Sequence, residues 1–369
     1  MVVKIGQLRD YYSDYLIVNQ SNCYCTSLGA ELGLSHDKFT RMLNKEALDS
    51  KWLWLSCKFL VKRISSPAGV LVIDDTIEEK RYSALSDYNC YHWDHCSNRS
   101  VKGLNQVTSL YHSQDISVPV GFEIVRKPDI VIDKKTGKEK RVSRISKQEI
   151  FRDLVKQAVD NQLEMKYIVA DKWFSNKENM NFVSGLQQQF IFPLKNNRRV
   201  ALSKEDKENG VYQVVNEVNL EEGQVRIVYV EGVEFPLLLQ KQVFLSKDGV
   251  LTGNEPILYL VSNDLTLDAP TMTAILRQSS VTIYSIRWKV ECFFKSIKSN
   301  LGYAKSPAHT YKSQVNHLVL SMMAFVKLEM FKDKTRINHF AFKAKVRAVA
   351  LHSAWNFWQD TKKQFYIAS

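Results

Sequence analysis

Four acidic residues stand where oxygen chemistry can be done. Asp74 and Asp75 close the apolar run VLVIDDT, Asp171 closes MKYIVADKWF, and Glu291 lies in the basic, helix-like stretch YSIRWKVECFFKSIK. Carboxylates delivered by separate elements suit a pair of Mg²⁺ ions, because hard cations take oxygen ligands and two ions must be held a few Å apart. The matching substrate is a phosphodiester.

The elements that must carry these groups follow from periodicity. VLVID and KYIVA read as short strands ending in acid. Alternation along VLVID puts Asp74 and Asp75 on opposite faces, so one of the two faces the metal and the other is structural. Tyr284, Arg287, Glu291 and Lys298 lie at offsets of three, seven and fourteen residues. On an α-helix of about 3.6 residues per turn they share one face. Ile286, Val290, Phe293, Ile297 and Leu301 recur on the neighbouring face and form the stripe that anchors the helix.

On these residues the chain resembles bacterial insertion-sequence transposases of the insertion-sequence-four superfamily. Their signature is Tyr, two residues, Arg, three residues, Glu, six residues, Lys, and every position and gap is met at Tyr284, Arg287, Glu291 and Lys298. IDDT looks like the family's first Asp-x-Thr block, and ADKWFS is similar to its second, so the resemblance covers about residues 70 to 305. It implies a DDE transposase with Asp74, Asp171 and Glu291 as catalytic metal ligands, Mg²⁺ as cofactor with Mn²⁺ able to substitute, and a homodimer on double-stranded DNA. The DNA is transposon inverted repeats and target. It also implies that Tyr284, Arg287 and Lys298 contact phosphates near the cleaved end. Asp74 is preferred over Asp75 because it heads the Asp-x-Thr block. Family members that form a DNA hairpin use a Trp upstream of the signature, and residues 257 to 283 contain none. That departure argues against a hairpin here.

With two ions at that site, one activates a water or a DNA 3′ hydroxyl and the other stabilises the leaving oxygen. The same site then nicks a transposon end and joins it to target DNA. A ribonuclease H-like nuclease without strand transfer, or a domesticated DNA-binding regulator, are the rival readings.

The organisation agrees with that class. The chain has 369 residues, 45% hydrophobic and 24% charged, a composition of globular proteins with ample length for a core. A net charge of +12 favours a polyanionic partner. Six cysteines show no disulfide framework, and there is neither an export leader nor a run of about 18 apolar residues, so a reduced, cytoplasmic, DNA-associated bacterial protein is expected.

The fold class expected is α/β: a ribonuclease H-like catalytic domain at 67–310 with a β-rich insertion near 200–265, preceded by a helical domain at 1–66 and followed by C-terminal helices at 311–369. Strand, strand, strand, helix, strand, helix, strand is the order of such a sheet. In the helical domain, a segment ending at Gly33 and a second helix capped by Ser35 outline a helix-turn-helix. Its second helix is expected to offer Ser35, His36, Lys38 and Arg41 to a DNA groove. A plain helical bundle is the alternative. Residues 134–147 concentrate seven Lys and Arg against one Glu, either a solvated loop or a phosphate contact. Trp173 and Trp288 flank the acidic residues and suit base stacking, although core packing is expected of at least one. Cys90, His92, His95 and Cys96 cluster without the spacing of a usual zinc finger.

Overall fold

The computed structural model describes residues 3–19, 21–94, 97–134, 137–221, 224–243, 257–267 and 283–367. It divides into two units, Trp54–Glu291 and a second made of Met1–Leu53 with Cys292–Ser369.

The first unit is built on apolar runs short enough to be strands and too continuous to be half-exposed ones. β1 (Val70–Glu79) buries its first four residues completely. It pairs antiparallel with the long β3 (Arg99–Ser113), which also pairs with β2 (Cys90–Asp94) and β4 (Ile116–Ile124). Beyond β5 (Asp129–Ile132) and β6 (Glu139–Val142), a separate two-stranded sheet, the chain forms helix α5 (Lys147–Asp160). Ser146 and Glu149 close its first turn reciprocally as a capping box, which is written in the sequence as Ser-x-x-Glu. β7 (Tyr167–Ala170) then lies parallel to β1, and after α6 (Lys177–Gly185) β8 (Phe190–Leu194) lies parallel to β7. Both strands are buried throughout, as parallel strands covered on two faces must be.

The resulting order β4-β3-β1-β7-β8, three antiparallel strands followed by two parallel ones, fits the ribonuclease H-like expectation inside a mixed α/β fold. Residues 199–262 extend this sheet with β9 (Arg199–Ala201), helix α7 (Lys204–Glu208), β10 (Gln213–Val214), β11 (Val225–Val230), β12 (Leu237–Val243) and β13 (Ile257–Ser262). β13 attaches this stretch to β8.

The second unit is helical: α1 (Ile5–Val18), α2 (Cys25–Leu32), α3 (His36–Lys45) and the start of α4 (Ser50–Ile64), with most of α8 (Trp288–Ser299), then α9 (Tyr311–Thr335) and α10 (His339–Ile367). Gly33 ends α2 in the left-handed region at φ 61°, where glycine carries no penalty, and Ser35 caps α3. Gly29 permits the turn to close, since a Cβ there would stand 2.6 Å from the Leu34 carbonyl oxygen. α9 ties these helices with buried polar groups. The Asn316 amide donates to the carbonyls of Leu43 and Glu46 at 2.8 Å each and accepts from Leu48 N–H at 3.0 Å, while His317 bridges Tyr12 and the Gly302 carbonyl. A buried amide with its bonds made fixes one arrangement of helices.

Three local expectations need correction. Tyr284–Arg287 is a 3₁₀ turn, and the α-helix begins only at Trp288. The tighter winding common at helix N-termini brings residues i and i+3 into line, so Arg287 still lies against the Tyr284 ring at 5.9 Å. Within the β-rich stretch expected near 200–265, residues 211–218 form only the two residues of β10 and a 3₁₀ turn. The basic segment 134–147 is not merely a loop, because β6 and the first residue of α5 fall within it.

Candidate active site

Strand register brings the first two acids together. Ile73 is the partner of Ala170 across the parallel pair β1–β7, so Asp74 and Asp171 are the next step on neighbouring strands. Asp171 leaves β7 as the cap of a 3₁₀ turn over Lys172–Phe174. Asp74 is held by its neighbour, whose backbone N–H donates to Asp74 Oδ1 at 2.8 Å.

Glu291 joins them through a cation. Arg287 Nη1 stands 2.7 Å from Glu291 Oε1 and 3.7 Å from Asp74 Oδ2, and its guanidinium also lies over the Trp288 ring at 5.5 Å. The Arg287 Nε is buried with no partner. Burial works against this charge, yet Tyr284, Glu291, Asp74 and Asp171 outweigh it and hold the guanidinium above its ordinary pKa. Burial, with the Asp75 and Asp171 carboxylates, pushes Asp74 up to about 7, an effect that the Asp75 N–H and Arg287 offset only in part. Burial likewise raises the Tyr284 phenol.

Asp75 points elsewhere. Its Oδ2 accepts from Lys147 Nζ at 2.6 Å and from Asn105 Nδ2 at 3.2 Å, so the two adjacent carboxylates have different partners, as alternation requires. Asn105 Oδ1 has no partner. Across β1–β3, Thr108 lies opposite Asp74 and Gln106 opposite Thr76. The Thr108 hydroxyl and both ends of the Gln106 amide are fully buried and unpaired, a polar lining beside Asp74.

Sequence reasoning missed Lys147, Asn105, Gln106 and Thr108. The capping box places Lys147 at a helix start, but its pairing with a residue 72 positions earlier carries no local signal.

Lys298 sits half-buried on α8, seven residues beyond Glu291, and Val290, Phe293, Ile297 and Leu301 of the neighbouring stripe are buried. Trp173 and Trp288 are both largely exposed, so the expected core role for one of them is not met; Lys195 Nζ stands 5.5 Å over the Trp173 ring. On α3, Ser35 and His36 are exposed, Lys38 is half-buried, and Arg41 folds back onto the Asp37 carbonyl at 3.2 Å. Ser35 Oγ is spent on the Asp37 N–H, and His36 lies 3.5 Å from the Asp37 carboxylate. Cys90 and His92 touch at 3.4 Å, and burial, with Lys127 and Lys147, pushes His92 down to about 3. His95 and Cys96 lie outside the described residues.

The donor chemistry at Asp74, Asp171 and Glu291 fits a hard divalent cation, and the burial that chiefly raises Asp74, with the Asp171 charge beside it, is a cost that such a cation would offset. In the conformation described a guanidinium answers two of the three carboxylates. Among the described residues no three His, Cys, Asp or Glu side chains are drawn together around a single metal position.

Residues 21–225, more than half of the chain, match the family of DDE superfamily endonucleases, and the chain belongs to that family. The matched span holds Asp74 and Asp171 and stops short of Glu291. The protein is therefore of the nuclease class. No curated protein matches it significantly. Among solved structures, an endonuclease V from Bacillus subtilis is 13% identical, with a TM-score of 0.26 over 71% of this chain and 94% of that one. A pre-cleavage Mos1 transpososome is 8% identical, with a TM-score of 0.18 over 51% and 58%. Likenesses this weak support no argument about chemistry. No described helix is long and apolar enough to cross a membrane.

Proposed function

We propose that this endonuclease is an insertion-sequence transposase of the insertion-sequence-four type, which cuts DNA at inverted repeats and joins the 3′ ends to target DNA. The observation that carries the reading is the register of β1 and β7, which sets Asp74 beside Asp171, together with Arg287 holding Glu291 to Asp74. Asp74, Asp171 and Glu291 would hold two Mg²⁺ ions, which activate the attacking oxygen and stabilise the leaving one. The protein's own part is placement. Two strand ends fix two carboxylates, the N-terminal turn of α8 brings the third, and the Arg287 fork is shaped for a phosphate once it leaves Glu291. Tyr284 and Trp288 confine that fork, and Lys298 adds a cation further along the helix. Asp75, paired with Lys147, braces β1.

The second reading, a nuclease without strand transfer, uses the same carboxylates. Both are tested with inverted repeats taken from the DNA flanking the gene, a target plasmid and Mg²⁺. Cleaved ends and joined products are expected, both lost in Asp74→Asn, Asp171→Asn and Glu291→Gln. Cleavage without joining would favour the plain nuclease, and Mg²⁺-dependent cleavage by Glu291→Gln would remove Glu291 from the site.

A further inference from the structure

The two faces of the β1–β3 pair repeat one arrangement of acid and amide. On the face that carries Asp75, Asn105 lies opposite Ile77 and reaches diagonally to the acid, its amide donating to Asp75 Oδ2 at 3.2 Å. On the other face Gln106 lies opposite Thr76, in the same diagonal relation to Asp74, with a side chain one methylene longer. Thr108 stands directly opposite Asp74, so alternation puts Asp74, Gln106 and Thr108 together.

On this face the bonds are unmade. Gln106 and Thr108 are wholly buried, yet neither end of the amide nor the hydroxyl has a partner. Buried polar groups are nearly always satisfied, and an exception calls for a role.

Charge separates the two faces. Asp75 is answered by Lys147 Nζ at 2.6 Å, a cation that would repel a metal ion brought to the same carboxylate. Beside Asp74 stand two neutral groups and Arg287, whose nearest nitrogen is 3.7 Å from Oδ2 and whose fork suits a phosphate. A neutral amide can hold a carboxylate by its N–H without adding positive charge. Carboxylates that bind metals are commonly hydrogen-bonded in this way.

We propose that Gln106 is the positioning residue of Asp74. Its amide N–H donates to the Asp74 carboxylate, directly or through one water, when a divalent ion is bound, and the Thr108 hydroxyl turns the amide that way by donating to its carbonyl oxygen. The proposal rests on Asp74 being a metal ligand. It also gives a physical reason for Asp74, rather than its neighbour, to be that ligand.

Mn²⁺ binding to the full-length protein without DNA tests it, read from the electron paramagnetic resonance signal of the free ion, together with melting temperatures in EDTA. Gln106→Met keeps the length of the side chain and removes its polar end, and should weaken Mn²⁺ binding by roughly tenfold or more. Thr108→Val should weaken it by a smaller factor. In EDTA both variants should melt at or above the native temperature, since groups with unmade bonds give way to apolar ones of similar shape. Asn105→Leu breaks a bond that is made and should do the reverse, melting lower while leaving Mn²⁺ affinity near the native value. Three results for Gln106→Met would overturn the proposal: native Mn²⁺ affinity, a loss of affinity no greater than that of Asn105→Leu, or a melting temperature in EDTA below the native one. Asp74→Asn marks a different failure. Unchanged Mn²⁺ binding in that variant would remove Asp74 from the metal site, and Gln106 with it.

Discussion

Arg287 Nη1 stands 2.7 Å from Glu291 Oε1, one helical turn away, and the same nitrogen is 3.7 Å from Asp74 Oδ2. One guanidinium thus answers two carboxylates that come from different elements. Arg287→Ala leaves them facing one another uncompensated and should lower the stability of the metal-free protein by roughly 2 kcal/mol, below the cost of breaking a fully buried pair because Glu291 is partly exposed. Added Mg²⁺ should recover more stability in the variant than in the native protein. Thermal unfolding with EDTA and with Mg²⁺ checks this, and equal Mg²⁺ effects would show that the metal and Arg287 do not answer the same charges.

The Asp74 carboxyl titrates at about 7 in the fold and near 4 in an unfolded chain, so the folded state holds the proton more tightly. The stability this supplies is complete below pH 4 or so and is lost as the pH rises through about 7. Asp74→Asn, neutral at every pH, should match the native protein near pH 4 and unfold at a higher temperature near pH 8. Melting curves in EDTA decide it, and no gain at pH 8 would mean that Asp74 is not strained by its surroundings.

Asp75 and Asp74 should separate functionally. Asp75→Asn keeps the backbone N–H from which Asp74 accepts and loses the charge pair with Lys147, so cleavage should fall no more than about tenfold, whereas Asp74→Asn should abolish it. Lys147→Met should resemble Asp75→Asn, and the double variant should cost little more than either alone. Rates on one duplex at fixed salt provide the comparison.

The two glycines of the α2–α3 pair should differ in kind. Gly29→Ala forces a Cβ against the Leu34 carbonyl at 2.6 Å and the His36 nitrogen at 3.0 Å, an overpacking expected to cost roughly 2–3 kcal/mol. Gly33→Ala meets no atom within 4 Å and should cost about 1 kcal/mol for the left-handed backbone. Urea midpoints of the two variants rank them, and a smaller loss at Gly29 would refute the close approach.

Locality decides how much of this molecule its sequence discloses. β1 and β7 are announced by apolar runs ending in acid, and α3 by its Ser35 cap and the buried Phe39, Met42 and Leu43. The Arg287–Glu291 contact is a helical offset of four and so is also within reach. β2, with Tyr91 and Trp93 on its open side, is not, because its apolar residues point to solvent. The β5–β6 hairpin is hidden among charges and is held by pairs across the hairpin such as Arg144 with Asp129. Nor does any short window show that Lys147 belongs to Asp75, or that α8 opens as a tighter turn. Those depend on contacts distant in sequence or on the winding at a helix end.

The alternation along β1 imposes arithmetic on the gene. Val70 to Ile73 are wholly buried, so one aliphatic residue there can be exchanged for another with repacking. Length cannot vary so freely. Inserting a single residue between Val70 and Asp74 would rotate the strand's end by half a turn, sending Asp74 toward the side of Lys147 and withdrawing a carboxylate from Asp171. Deleting one would instead bring Asp75 to that position and force Asp74 into the buried place of Ile73. Only changes of two preserve the parity. In lineages carrying this strand, substitutions should accumulate in its first four positions while single-codon insertions and deletions are purged.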